Sequence, residues 1–206
     1  MDEYILDHLG AENCVLNELY RYTYLKVLNP CMISGHEQGR LLSMLSCMIK
    51  PCRILEIGTF TGYSAICLAE GLSENGHLHT IEIDDELTDT ALYFFQKAGF
   101  KEKITLHVGD ALEIIPQLNV EFDLVFIDAA KKEYLNYYQA VFNKVKTGGY
   151  IIVDNILWYG KVADSLIHDE TTVELRKFND FIRDENRVEK AIIRNRDGLL
   201  ILRKIN

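Results

Sequence analysis

Between Arg53 and Val153 short apolar runs alternate with longer stretches of helical spacing, a rhythm that few folds accommodate. The runs are Arg53 to Ile57, Leu78 to Ile83, Ile104 to Val108, Leu124 to Ile127 and Tyr150 to Val153, each apolar enough for a strand buried on both faces. Between them lie helical patterns: Tyr63 to Glu70, Glu86 to Ala98 stopped by Gly99, Ala111 to Leu118, and Tyr134 to Val145 stopped by Gly148-Gly149. Joined by right-handed crossovers, these units specify an α/β, doubly wound, mostly parallel sheet. Helical spacing before them, over Asp2 to Asn29 with a break near Gly10 and over His36 to Ile49, predicts N-terminal helices bounded by Pro30 and Pro51. After them, Thr172 to Asp184 reads as a helix, followed by strands Glu189 to Arg194 and Leu199 to Lys204. The turn Asn195-Arg196-Asp197-Gly198 is of hairpin length, which makes the last strand antiparallel to its neighbour.

A chain of 206 residues, 48% hydrophobic and without a Gly/Ser-rich linker, fits a single domain over 1–206, with the helices of 1–50 packed on it. The opening Met1-Asp2-Glu3 is acidic and no long apolar run follows, which argues against a signal peptide; no segment approaches a membrane span. The five cysteines (14, 31, 47, 52, 67) include no CxxC, so buried thiols in a reducing cytoplasm are the expectation. A net charge of −9 disfavours extended phosphate contacts and suits small neutral or cationic ligands.

Ligands of open α/β sheets bind outside the carboxyl ends of the strands, and polar residues gather there in this sequence. Gly58-Thr59-Phe60-Thr61-Gly62 follows the first strand with GxxxG spacing, lacking the middle glycine through which a backbone approaches a pyrophosphate. That argues against NAD or FAD, and hence against a dehydrogenase. Glu56, just before the turn, would repel a phosphate but suits an ammonium, and Glu82 ends the second strand where a carboxylate can accept from ribose hydroxyls. A nucleoside carrying an amino acid and no phosphate is S-adenosylmethionine (SAM). A tight βα turn with a solvated Glu82 is the bland alternative; the combination in this order favours the cofactor.

Asp128 ends the fourth apolar run and Asp154-Asn155 the fifth. On neighbouring strands their two carboxylates and one amide form a hard-oxygen set suited to Mg²⁺, with Ca²⁺ or Mn²⁺ also accommodated, rather than zinc. Helix capping is the competing reading of the acids. Lys131, three residues beyond Asp128, is placed beside the metal and an electropositive sulfonium, where its pKa should fall enough for it to act as a base. The aromatics of Ile156-Leu157-Trp158-Tyr159-Gly160 suggest a substrate wall or, equally, core packing.

The segments LEIGTFTGYSA (55–65), TIEI (80–83), GDALEIIPQL (109–118), FIDAAKKEY (126–134) and DNILWYGKV (154–162) resemble the cation-dependent class I O-methyltransferases, the family of catechol and caffeoyl-CoA O-methyltransferases. The resemblance runs from about Met32 to the C-terminus. It implies a Rossmann-like seven-stranded sheet with the last strand antiparallel. It also implies a cofactor pocket lined by Glu56, Gly58, Phe60, Ser64, Glu82, Ala111 and Asp128 and covered by Met32 and Ser34. Asp128, Asp154 and Asn155 would hold the metal, Lys131 and Asp128 would be catalytic, and a homodimer in the cytoplasm is expected. The implied acceptor is a small catechol-like aromatic. Ala129 and Ala130 stand where the mammalian catechol enzyme has histidine and tryptophan, and no residue matches that enzyme's distal acid. Bacterial relatives that methylate 5-hydroxyuridine in tRNA supply the alternative acceptor, for which Arg194, Arg196, Arg203 and Lys204 are the basic candidates.

Overall fold

A computed structural model describes residues 2–206; Met1, part of the acidic opening, lies outside them. The helices are α1 (Asp2–His8), α2 (Cys14–Lys26), α3 (Gly35–Ile49), α4 (Tyr63–Ala69), α5 (Thr88–Lys97), α6 (Ala111–Ile114), α7 (Tyr134–Phe142) and α8 (Glu170–Asp184), with short 3-10 turns between several of them. The strands are β1 (Arg53–Ile57), β2 (His77–Glu82), β3 (Ile104–Val108), β4 (Phe122–Ile127), β5 (Val145–Val153), β6 (Val188–Ile193) and β7 (Leu199–Lys204). They form one seven-stranded sheet in the order β3-β2-β1-β4-β5-β7-β6. β7 is antiparallel to both its neighbours, while β2–β3, β1–β4 and β4–β5 pair parallel, as the sequence pattern requires. Among the described residues no helix is long and apolar enough to cross a membrane.

Two compact units divide the chain. The first runs to Cys52 and resumes over Thr59–Gly109; the second comprises Arg53–Gly58 and Asp110–Asn206. In the first unit Asn13 caps α2 by accepting from the Val15 amide, and Leu16, Leu19 and Thr23 form the buried face of that helix. Thr23 donates to the Leu19 carbonyl and to Thr61 Oγ1 (3.0 Å), so α2 is stitched to the turn after β1 by a fully buried hydroxyl pair. A Cβ on Gly62 would lie 2.5 Å from the Phe95 ring, which explains the glycine in terms of packing as well as its positive φ. The cysteines depart from expectation: only Cys67 is buried, whereas Cys14, Cys31 and Cys47 are exposed. They occupy the solvent sides of α2, the 3-10 turn at Pro30–Met32 and α3.

In the second unit α8 buries Thr172, Leu175, Phe178 and Ile182, a helical stripe, and Asp169 caps it through Thr172. Tyr134 and Tyr138 of α7 meet Phe178 edge-on, at ring-centroid distances of 5.7 and 6.4 Å. Helix α7 stops at Phe142 rather than Val145, and β5 begins at Val145 rather than Tyr150. Gly148-Gly149 therefore ends no helix but lies in an irregular strand start, where the register jumps from Phe122↔Val145 to Leu124↔Tyr150. Gly148 has φ +82, and a Cβ on Gly149 would sit 2.9 Å from the Lys146 carbonyl oxygen. Leu199, Leu200 and Leu202 are buried in β7, inside the sheet between β5 and β6.

Candidate active site

The strand order reverses between β1 and β4, both in the second unit, and this switch point is where α/β sheets bind ligands. Ile57 pairs with Ile127 and Ile127 with Val153, so Gly58, Asp128 and Asp154 follow at one level on three adjacent strands. The Asp128 amide donates to the Ile57 carbonyl (2.9 Å) and the Asp154 amide to the Ile127 carbonyl (3.0 Å), extending the ladder to that level. Gly58 has φ +97, and a Cβ there would fall 2.1 Å from the Asp128 carbonyl oxygen. Gly58→Ala is therefore expected to cost roughly 3 kcal/mol or more, a fall of about 6–12 °C in Tm for a chain of this size. Thermal unfolding followed by circular dichroism measures it, and an unchanged Tm would show that the turn can shift freely.

Glu56 is fully buried at the end of β1. Asp154 is 3% exposed; its Oδ1 accepts from the Asn155 amide (2.8 Å), and its carbonyl accepts from the hydroxyl of the fully buried Tyr134 (3.0 Å). Burial first, then the Asp128 and Asp154 charges, raise the Tyr134 pKa, so this hydroxyl remains a donor. Asn155 sits at φ 56, a left-handed conformation that asparagine tolerates better than most residues. Lys131 Nζ donates to Asp128 Oδ1 at 2.6 Å, with both side chains largely buried, and lies 5.5 Å from the Tyr134 ring centroid. Ala111 is buried as the first residue of α6, capped by Asp110.

Asp197 belongs to this neighbourhood, which sequence reasoning missed. Its Oδ1 accepts from the Tyr159 amide, its Oδ2 is buried without a hydrogen-bond partner, and burial raises its pKa against the opposing pull of Tyr159 and Lys131. In sequence Asp197 is only the third residue of a hairpin turn; the backbone bonds Leu157 to Asp197 and Ile156 to Gly198 bring it beside the segment after β5. Trp158 is partly buried with Nε1 also unpartnered, whereas Tyr159 is 80% exposed.

Within the first unit, the Glu82 carboxylate is held by three backbone amides: Phe60 (2.6 Å) on Oε2, and Ile83 and Asp84 (3.0 Å each) on Oε1. A carboxylate offers about four acceptor positions, so the charge is fixed in direction and retains room for a ligand hydroxyl. Phe60 has φ 49, the strained member of the turn. Ser64 is buried in the first turn of α4, Ser34 is buried just before α3, and Met32 is 57% exposed.

Among the described residues no three His, Cys, Asp or Glu side chains are grouped to hold a metal. The chemistry of Asp128, Asp154 and Asn155 nevertheless fits a hard cation: two carboxylate residues at one level on paired strands, an amide residue next in sequence to the second, and a largely buried lysine drawn to one carboxylate.

A Rossmann-like sheet with acidic residues at its switch point places the protein among the doubly wound α/β folds that bind ligands there. The family is specific: an O-methyltransferase family model matches residues 7–205, and the chain belongs to that family and is a methyltransferase. It is 36% identical over 181 residues to a caffeoyl-CoA O-methyltransferase of Populus kitakamiensis, covering 82% of this chain and 77% of the relative. Identity to a catechol O-methyltransferase of Niastella koreensis is 32%, covering 94% and 89%. Among solved structures, the O-methyltransferase TomG of Streptomyces achromogenes, in complex with SAM, superposes with a TM-score of 0.93 at 30% identity, covering 100% of this chain and 96% of that one.

Proposed function

We propose that this enzyme is a SAM- and divalent-cation-dependent O-methyltransferase acting on one hydroxyl of a small vicinal dihydroxyaromatic. The observation that carries the reading is the level alignment of Asp128 and Asp154 with Lys131 against Asp128. Asp128, Asp154 and Asn155 would hold Mg²⁺, or Ca²⁺ or Mn²⁺ in its place; when bound, the cation supplies Lewis acidity that eases deprotonation of a neighbouring hydroxyl. When bound, SAM supplies the methyl group on a sulfonium. In the second unit Glu56 is assigned to its ammonium, with Gly58, Ala111 and Asp128 as further contacts. In the first unit Glu82 is assigned to its ribose, with Phe60, Ser64, Ser34 and Met32 as further contacts. Lys131 is assigned as the base that takes the proton from the acceptor hydroxyl, leaving an oxyanion to receive the methyl group that SAM would supply. The segment after β5, with Trp158 and the neighbouring Asp197, is assigned to the wall of the acceptor site.

Hydroxyuridine in tRNA, the alternative acceptor, draws no support from the relatives named above. Two of its four basic candidates are also engaged within the chain: Arg203 pairs with Glu189 (2.8 Å), and Lys204 Nζ donates to the Phe142 and Val145 carbonyls.

Chelator-stripped enzyme is expected to lose about 10²-fold or more of its turnover of catechol and to recover on addition of Mg²⁺, read as S-adenosylhomocysteine formed. Full activity in EDTA would remove the metal from the reading.

A further inference from the structure

The segment that leaves β5 beyond Asn155 carries three consecutive positive φ values, Trp158 (48), Tyr159 (55) and Gly160 (77). Two adjacent aromatics in the left-handed region cost of order 1–3 kcal/mol each and persist only where the surroundings hold them there. The holding groups come from one face of α8, at i and i+3. Arg176 donates through Nε to the Val162 carbonyl (3.0 Å), through Nη1 to Ile167 (2.7 Å), and through Nη2 to Lys161 (2.9 Å) and Asp164. Asn179 Nδ2 donates to the Ile156 carbonyl (2.9 Å), so the aromatic turn is pinned on both sides. Four carbonyls converging on one guanidinium is an arrangement that the planar fork of arginine satisfies and the point charge of lysine does not.

We propose that Arg176 is a positioning residue for the methyl acceptor: by fixing the Trp158–Tyr159 turn beside the Asp154-Asn155 strand end, it sets acceptor affinity without acting on SAM. The inference rests on the reading of that turn as the acceptor wall, and the test separates the two. Trp158 is the sole tryptophan, so intrinsic fluorescence reports on the turn directly, independently of any acceptor.

Arg176→Lys and Arg176→Ala in the full chain should shift Trp158 emission to the red and raise its acrylamide quenching about twofold. In the same variants KM for catechol should rise about 10-fold, a small part of what several hydrogen bonds to a charged donor contribute to holding the turn. The turnover number and the calorimetric Kd for SAM should stay within about twofold of wild type, because Arg176 touches neither the proton nor the cofactor. Guanidinium ion at tens of millimolar should partly restore KM in Arg176→Ala. Unchanged fluorescence in both variants would overturn the proposal, as would a fluorescence shift with unchanged KM. A parallel loss of turnover, SAM affinity and Tm would reduce Arg176 to a general structural role. A wild-type enzyme that turns over no catechol, with the fluorescence shifts as expected, would overturn the acceptor reading and leave the hold of Arg176 on the turn standing.

Discussion

Lys131→Met is expected to lower turnover on the dihydroxyaromatic acceptor by about 10²-fold or more, the usual contribution of a positioned base. Methionine keeps an unbranched side chain of similar length, so folding and SAM affinity should survive. Metal affinity should hold or rise, because the ammonium now 2.6 Å from Asp128 Oδ1 repels a dication sharing that carboxylate. Lys131→Arg sharpens the test. Arginine supplies the same charge but does not deprotonate in proteins, so it should be as inactive as methionine if Lys131 moves a proton, and active if only its charge matters. Stopped-time product formation at saturating SAM and Mg²⁺ measures both variants, and unchanged turnover in Lys131→Met would leave Lys131 as a partner of Asp128 and nothing more.

The residues of this site were legible to different degrees, for physical reasons. Strands buried on both faces are continuous apolar runs, so the first charged residue after each one stands out. Ile127-Asp128 and Val153-Asp154 show this, and the parallel register turned two distant positions in the chain into neighbours. The start of β5 was not legible, since a glycine pair reads the same whether it ends a helix or loosens a strand; only the cross-strand register separates the two. Asp197 was hidden because Asn-Arg-Asp-Gly satisfies the local chemistry of a hairpin turn, while its bond to the Tyr159 amide spans 38 residues. Arg176 was hidden for a similar reason: an arginine on an amphipathic helix reads as a solvated charge, and nothing local announces the carbonyls that it gathers. The exposed Cys14, Cys31 and Cys47 were misjudged because residue type carries a burial preference but helix face decides the outcome.

Asp154→Asn is expected to be the more damaging substitution at the metal set, with activity at ordinary Mg²⁺ down by about 10³-fold. That corresponds to the several kcal/mol a Lewis acid contributes, at tenfold per ~1.4 kcal/mol. Asparagine retains the shape of a side chain that is 3% exposed and can still accept from the Asn155 amide, so the strand end should keep its conformation. The Tyr134 hydroxyl bond goes to the backbone carbonyl of residue 154 and is unaffected by the exchange. What disappears is one of two carboxylate charges from a set whose third member is neutral, and hard cations depend strongly on ligand charge. The signature is therefore a rightward shift of the Mg²⁺ activation curve, with partial recovery at high Mg²⁺ and an unchanged Kd for SAM. Lys131→Met should show the opposite pattern, a low plateau reached at ordinary or lower Mg²⁺. Asp128→Ala, which removes both a proposed ligand and the partner of Lys131, should combine the two, losing affinity and plateau together. An Asp154→Asn enzyme with wild-type Mg²⁺ dependence would show that the carboxylate serves to hold Asn155 in its left-handed conformation, and that the cation, if one is used, is held elsewhere.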